Sequence, residues 1–219
     1  GVNDTMGRAG FMTGATAGTF LFVLKLVADP PVTVGLGAPF SAWGGYGGIE
    51  HMPWVDGNIY YNWGGNTRFN SGNPTQSMAA WRIFSITSAA NSWILRIDGV
   101  TFYTSSSNTV TWGAEPKIGG AYGTYYPACD IAEAIAVPSL LSEAQRQKAE
   151  GYLAWEWGIQ GNLDASHPYK NAAPTDTASV GEGTITLGTL TQAAAGVLEL
   201  KASSAKTLGA MTASSAGKI

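Results

Sequence analysis

Apolar positions along the first 174 residues fall into short runs and alternations of strand length. Thr19-Phe20-Leu21-Phe22-Val23-Leu24-Lys25-Leu26-Val27 is a β-branched and aromatic run closed by Asp29-Pro30-Pro31, which predicts a strand. Trp81-Arg82-Ile83-Phe84-Ser85-Ile86-Thr87 predicts a second strand. Trp93-Ile94-Leu95-Arg96-Ile97 and Val100-Thr101-Phe102-Tyr103-Thr104 flank Asp98-Gly99. That dipeptide tolerates the positive φ angles of a two-residue turn, so the segment predicts a β-hairpin. Asp130-Ile131-Ala132-Glu133-Ala134-Ile135-Ala136-Val137 alternates larger residues with three alanines, predicting a strand that another layer can approach closely. Such strands, joined by Gly-rich turns, argue for a β-sandwich rather than a βαβ fold.

One stretch follows a helical pattern. Ser142-Glu143-Ala144-Gln145 fits a capping box, and good helix formers continue through Glu150. Gly151 inside the helix predicts a bend or a close backbone approach, and Gly158 marks the end. Tyr152, Leu153, Trp155 and Trp157 make the second half apolar, so a helix near 142–157 is expected to dock on the sandwich.

Beyond Pro174 the pattern changes. The last 45 residues contain no aromatic, and 28 of them are Ala, Gly, Ser or Thr, which places a domain boundary near Ala173-Pro174. Thr186-Leu187-Gly188, Thr191 and Ala195-Gly196 recur 21 residues later as Thr207-Leu208-Gly209, Thr212 and Ala216-Gly217. Each copy predicts two short strands too poor in large side chains to bury a core alone. Residues 175–219 are therefore expected to order by strand pairing between chains, as a homo-oligomer such as a trimer.

Composition narrows the function. Charged residues are 12% of the chain, about half the roughly 25% usual for a soluble domain. The net charge of −3 gives no electrostatic case for nucleic acid or an anionic membrane. No apolar run approaches the ~20 residues of a membrane-spanning helix, so no membrane insertion is expected. A single cysteine, Cys129, excludes an internal disulfide and cannot by itself make a zinc site. The opening Gly1-Val2-Asn3-Asp4 reads as the middle of a turn with no signal-peptide pattern, so the polypeptide is expected to continue upstream.

The strand at 130–137, the helix from Leu141-Ser142-Glu143 to Trp155-Glu156-Trp157-Gly158 and the extension His167-Pro168-Tyr169-Lys170 follow one another in a recognisable order. Together with the Ile97-Asp98-Gly99 hairpin and the opening residues, they resemble the end of concanavalin A-like (laminin-G-like) jelly-roll domains of bacterial surface proteins and bacteriophage virion proteins. The resemblance covers residues 1–174 and implies a jelly-roll β-sandwich. It says little about activity, because this architecture hosts lectins, adhesins, hydrolases and structural pieces. The tail resembles Ala/Gly/Thr repeats appended to phage structural proteins. The resemblance implies a virion structural protein (tail, fibre or capsid decoration) whose sandwich is exposed. Its partners would be neighbouring virion proteins or further copies bound through 175–219, and host-surface glycans. A bacterial surface adhesin that binds carbohydrate is the alternative.

Candidate chemistry is sparse. Sandwich glucanases resembling this fold carry Glu-x-Asp-x-x-Glu on one strand, and this chain has no such motif. Its nearest pair, Asp130 and Glu133, would point to opposite faces of a regular strand, so a glycoside hydrolase is disfavoured. His51 and His167 have no nucleophile or acid at a diagnostic spacing and read as loop anchors. Cys129 reads as a small core residue. Sugar binding has more support, because aromatic faces suit C–H surfaces while Asn and Asp suit hydroxyls. The segment 54–66 concentrates both, with Trp54, Asp56, Asn58, Tyr60 and Asn62 as the candidate contact residues. On a strand, Asn58, Tyr60 and Asn62 would face a ligand or solvent, and Ile59, Tyr61 and Trp63 would face the core. A solvated face with structural tryptophans is the competing reading. Calcium is the one cofactor considered, with Asp56, Asn58 and Asp98 as oxygen donors.

Overall fold

The computed structural model describes residues 6–7, 10, 12–31, 36–119 and 125–175. The repeat and the assembly role expected for the tail lie outside the described residues, apart from Thr175. Ten strands are described: β1 (Met6–Gly7), β2 (Ala17–Leu26), β3 (Phe40–Ser41), β4 (Tyr60–Tyr61), β5 (Phe69–Asn70), β6 (Arg82–Ala89), β7 (Ser92–Ile97), β8 (Val100–Ser105), β9 (Lys117–Ile118) and β10 (Cys129–Val137). One helix, α1 (Glu143–Glu156), and a 3-10 turn at Gln160–Asn162 follow.

The larger sheet is antiparallel in the order β10-β2-β6-β7-β8, and the facing layer is built from β1-β9-β3 with the β4-β5 pair. This is a β-sandwich with one docked helix among the described residues. The Asp98-Gly99 hairpin forms as its turn chemistry predicts, with φ of 53° and 85° and pairing of Ile97 with Val100.

Strand β2 explains the unbroken apolar run. Phe20, Phe22, Leu24 and Leu26 point between the layers, where they join Phe84, Ile86, Trp93, Leu95 and Ile97 of the same sheet. From the other layer they meet Phe40, Trp43, Tyr61 and Trp63. Rings stack directly, Phe20 on Trp63 at 5.2 Å and Phe22 on Phe84 at 5.0 Å. Leu21 and Val23 point the opposite way, with Ile83, against Leu153 and Ala154 of α1 and Leu163. A strand covered on both faces along its middle is apolar at successive positions there, from Phe20 to Leu24.

Helix α1 starts with the predicted capping box: the Ser142 hydroxyl accepts the Gln145 N–H, and the Gln145 side chain accepts the Ser142 N–H. It docks differently from expectation. Arg146, Glu150, Gly151, Leu153 and Ala154 form the buried side, an i, i+4, i+7, i+8 stripe. Tyr152, Trp155 and Trp157 are 37–43% exposed. Helical periodicity turns those rings away from the sheet, although composition alone places them against it. Gly151 is explained by a close approach, since a Cβ there would lie 2.6 Å from the Tyr169 Cβ.

Strand β10 is an edge strand with a bulge: Ile131 pairs with Leu24 and Glu133 with Val23, leaving Ala132 extra. This corrects the expectation for the acid pair. Asp130 pairs with Lys25 and Glu133 with Val23, so the inserted residue brings both carboxylates to one face. Each is engaged there, Asp130 with the Lys25 ammonium at 2.9 Å and Glu133 with the Trp157 indole N–H at 3.0 Å. Cys129 packs against the core as expected, and burial, aided by the Asp130 charge, pushes its thiol up to about 12.

Candidate functional site

The segment 51–73 forms a folded loop surface held by main-chain bonds. His51 and Tyr60 exchange both backbone hydrogen bonds at 2.9 Å, and β4 pairs with β5 through Tyr60↔Asn70 and Tyr61↔Phe69. Between them the Gly57 N–H donates to the Trp54 carbonyl, and the Trp54 N–H to the Asn58 carbonyl, each at 2.9 Å. Gly57 closes this turn with φ of 85°, and a Cβ there would lie 2.3 Å from the end of the Asn73 side-chain amide. Ile59, Tyr61 and Trp63 point inward and are buried, as the alternation predicts.

The outward groups converge on Asp56. Its Oδ1 accepts the Asn58 N–H at 2.9 Å, and its Oδ2 accepts the Tyr60 hydroxyl at 2.8 Å and the Asn58 amide at 3.1 Å. Desolvation, the largest single influence, opposes ionisation, but these donors together outweigh it and hold the Asp56 carboxyl below the ordinary carboxylate value. Asp56 is exposed, while Asn58, Tyr60 and Trp54 are half-buried. The Trp54 ring lies 4.0 Å from the His51 ring and 5.6 Å from that of Tyr125. His51 is the anchor it was expected to be, with Nδ1 donating to the Leu36 carbonyl.

Asn62 departs from the expected arrangement. It is fully buried, its Nδ2 donates to the Gly65 carbonyl at 3.1 Å, and its Oδ1 has no partner. The strand ends at Tyr61 and the chain turns through Gly64, at φ of 67°. The alternation that would have turned Asn62 outward is therefore broken one residue early.

The fold adds residues that local reading missed. The Arg68 guanidinium lies over the rings of both Tyr60 (5.1 Å) and Tyr46 (5.7 Å) and donates to the Ile49 carbonyl. Tyr46 in turn lines a groove of about 380 Å³ with Gly44, Gly45, Gly47, Trp112 and Lys117. A Cβ on Gly113, also in this groove, would lie 1.8 Å from the Ala42 carbonyl oxygen, so the walls need glycine. The run Gly44-Gly45-Tyr46-Gly47-Gly48 is the sequence signal that could have marked it. The ensemble offers aromatic faces, an ionised carboxylate and amides on one surface.

The calcium donor set does not fit. Asp98 is buried elsewhere, accepting from Arg82 Nη1 at 2.9 Å and from the Ile83 N–H at 3.0 Å, and it shares no partner with Asp56. A calcium ion takes six to eight oxygens, whereas Asp98 already neutralises a guanidinium. Among the described residues no three His, Cys, Asp or Glu side chains form a metal cluster.

No protein-family model and no curated protein matches the chain. Solved structures share its fold. The chain is similar to the receptor-binding domain of botulinum neurotoxin mosaic serotype C/D, with a TM-score of 0.50 and 12% identity over 68% of this chain and 40% of that one. It is similar to the Trypanosoma rangeli sialidase in complex with sialic acid, at 0.48 and 12%, over 65% of this chain and 23% of that one. The binding domain of Paraclostridial Mosquitocidal Protein 1 aligns at 0.47 and 11%, over 66% and 38%. The chain thus spans well under half the length of these proteins, and the likeness concerns the β-sandwich alone.

Proposed function

We propose that this chain is a non-catalytic carbohydrate-binding module built on a concanavalin A-like jelly-roll sandwich. The observation that carries the reading is the half-exposed Trp54 and Tyr60 beside the ionised Asp56, with Asn58 and Arg68 adjoining. An aromatic face takes the C–H side of a sugar ring while carboxylate and amide groups take its hydroxyls. The engagement of Asp130 and Glu133 with Lys25 and Trp157 supports a role without hydrolysis. The setting follows the resemblance in the sequence: an exposed module of a bacteriophage virion, assembled through residues 175–219 and facing host glycans. A bacterial surface adhesin differs only in that setting.

A glycan array on the full chain tests the reading. Binding to one glycan class is expected, weakened at least tenfold by Trp54→Ala and by Tyr60→Ala, with no sugar released on long incubation. An array without hits, or hits untouched by both substitutions, overturns the site. Release of sugar that survives Asp130→Asn and Glu133→Gln would establish an enzyme acting elsewhere on the chain. Neighbouring genes for capsid, portal or tail proteins would support the virion setting over the adhesin.

A further inference from the structure

On the opposite face of the larger sheet, a cavity of about 420 Å³ lies between β7-β8 and the first turns of α1. Thr87, Arg96 and Thr101 line it from the sheet, and Glu143, Arg146 and Gln147 from the helix. Register explains the sheet side: Ser85, Arg96 and Thr101 form one cross-strand row. The two arginines are not equivalent. Arg146 Nη1 bonds both oxygens of the buried Glu150 at 2.6 Å, and Glu150 is completed by the Ser85 hydroxyl at 2.5 Å and His167 Nε2 at 3.2 Å. Arg96 has no such acceptor, and its Nη1 is shut off from solvent without a hydrogen-bond partner.

Arg146 is matched by the buried Glu150, already shared among three donors, and the carboxylate that lines the cavity with Arg96 is Glu143, exposed and bonded to Gln147. A guanidinium is a planar fork matched to carboxylate, sulfate and phosphate oxygens. A volume of this size suits a small ligand rather than a single water.

We propose that this cavity is an oxyanion-binding site, separate from the Trp54–Tyr60 surface. It takes the carboxylate, sulfate or phosphate of a small polar ligand, with Arg96 as the anchor and the Thr87, Thr101 and Gln147 side chains as further hydrogen-bond partners. The site stands whether or not the other surface binds glycans.

The test follows the arginine side-chain NMR signals and the melting temperature of the full chain during titration with sulfate, phosphate, acetate and glucuronate. Sodium chloride at matched ionic strength and glucose are the controls. A saturable shift of the Arg96 signal with an oxyanion and not with the controls is expected, together with a rise in melting temperature. Tighter binding of glucuronate than of acetate would identify an acidic sugar, and preference for sulfate or phosphate a tetrahedral anion. Arg96→Gln is expected to abolish the effect. Should that variant not fold, Arg96→Lys, which keeps the charge and loses the fork, is expected to bind at least tenfold more weakly. Absence of any saturable shift at concentrations up to roughly 0.1 M, or binding unchanged in the folded variants, overturns the site.

Discussion

Glu50 is buried beside Tyr61, with Oε2 accepting the Ala42 N–H at 2.8 Å and Oε1 without a partner. Burial pushes its carboxyl up to about 8, against smaller opposing pulls from the Ala42 and Asn62 N–H groups and the Arg68 charge. The folded state therefore holds this proton more tightly than the unfolded chain does. The stability it contributes is complete below the ordinary value of 4.5 and is lost as pH rises through about 8. The full swing is on the order of 5 kcal/mol. Denaturant unfolding between about pH 5 and about pH 9 should show the native chain losing stability relative to Glu50→Gln. Parallel curves would mean that Glu50 is not a buried neutral acid. At this same scale the sequence was legible where alternation held, as at Ile59, Tyr61 and Trp63. It misled at Asn62, whose orientation depends on a turn closed by the Gly65 N–H on the Asn62 carbonyl.

Among the elements, the hairpin and helix α1 were readable because their signals are local: a turn dipeptide, a capping box and a terminal glycine. What holds the helix down was not readable. Glu150 looks like an ordinary helix former, yet it is the centre of a buried cluster with Arg146, Ser85 and His167. Burial alone would raise its carboxyl, but the His167 bond, the Arg146 charge and the Ser85 hydroxyl hold it below the ordinary value. Glu150→Ala would leave Arg146 buried without its counter-charge, a loss of about 3–5 kcal/mol. Faster amide exchange throughout α1 should accompany it, and unchanged exchange would show that the apolar contacts of Leu153 and Ala154 suffice. Gly151→Ala is expected to destabilise as well, because the clash falls on Tyr169 Cβ and Cγ and the 167–169 segment must shift. The bulge at Ala132 likewise escapes local reading, since nothing in an Ile/Ala/Glu alternation announces an extra residue.

For the molecule as a whole, the division at Ala173-Pro174 separates an aromatic-rich part from a tail without aromatics. The core rings just described all lie before that point, so the sandwich is expected to fold without the tail. Ten Leu, Ile, Val and Met side chains spread through the last 45 residues bury too little area to offset roughly 1–2 kcal/mol of ordering entropy per residue. Sedimentation velocity should therefore find an oligomer for the full chain and a folded monomer after deletion of 175–219. A monomeric full chain at micromolar concentration would overturn the assembly role.

The sequence by itself determined the class of fold, the hairpin, the helix with its cap and the inward rings of the 59–63 segment. Those features follow from periodicity and turn chemistry within a few residues. Only the tertiary structure decided which polar groups share a surface. Arg68 reaches the rings of Tyr46 and Tyr60, neither of them its neighbour in sequence. Asp98 is claimed by Arg82, sixteen residues away. The bulge re-aims Glu133, and Arg96 Nη1 is left without a hydrogen-bond partner while Glu150 is satisfied by Arg146 of its own helix and by Ser85 and His167 from two other segments. A polar side chain's role depends on which distant donors reach it, and that distance in sequence leaves no periodic trace.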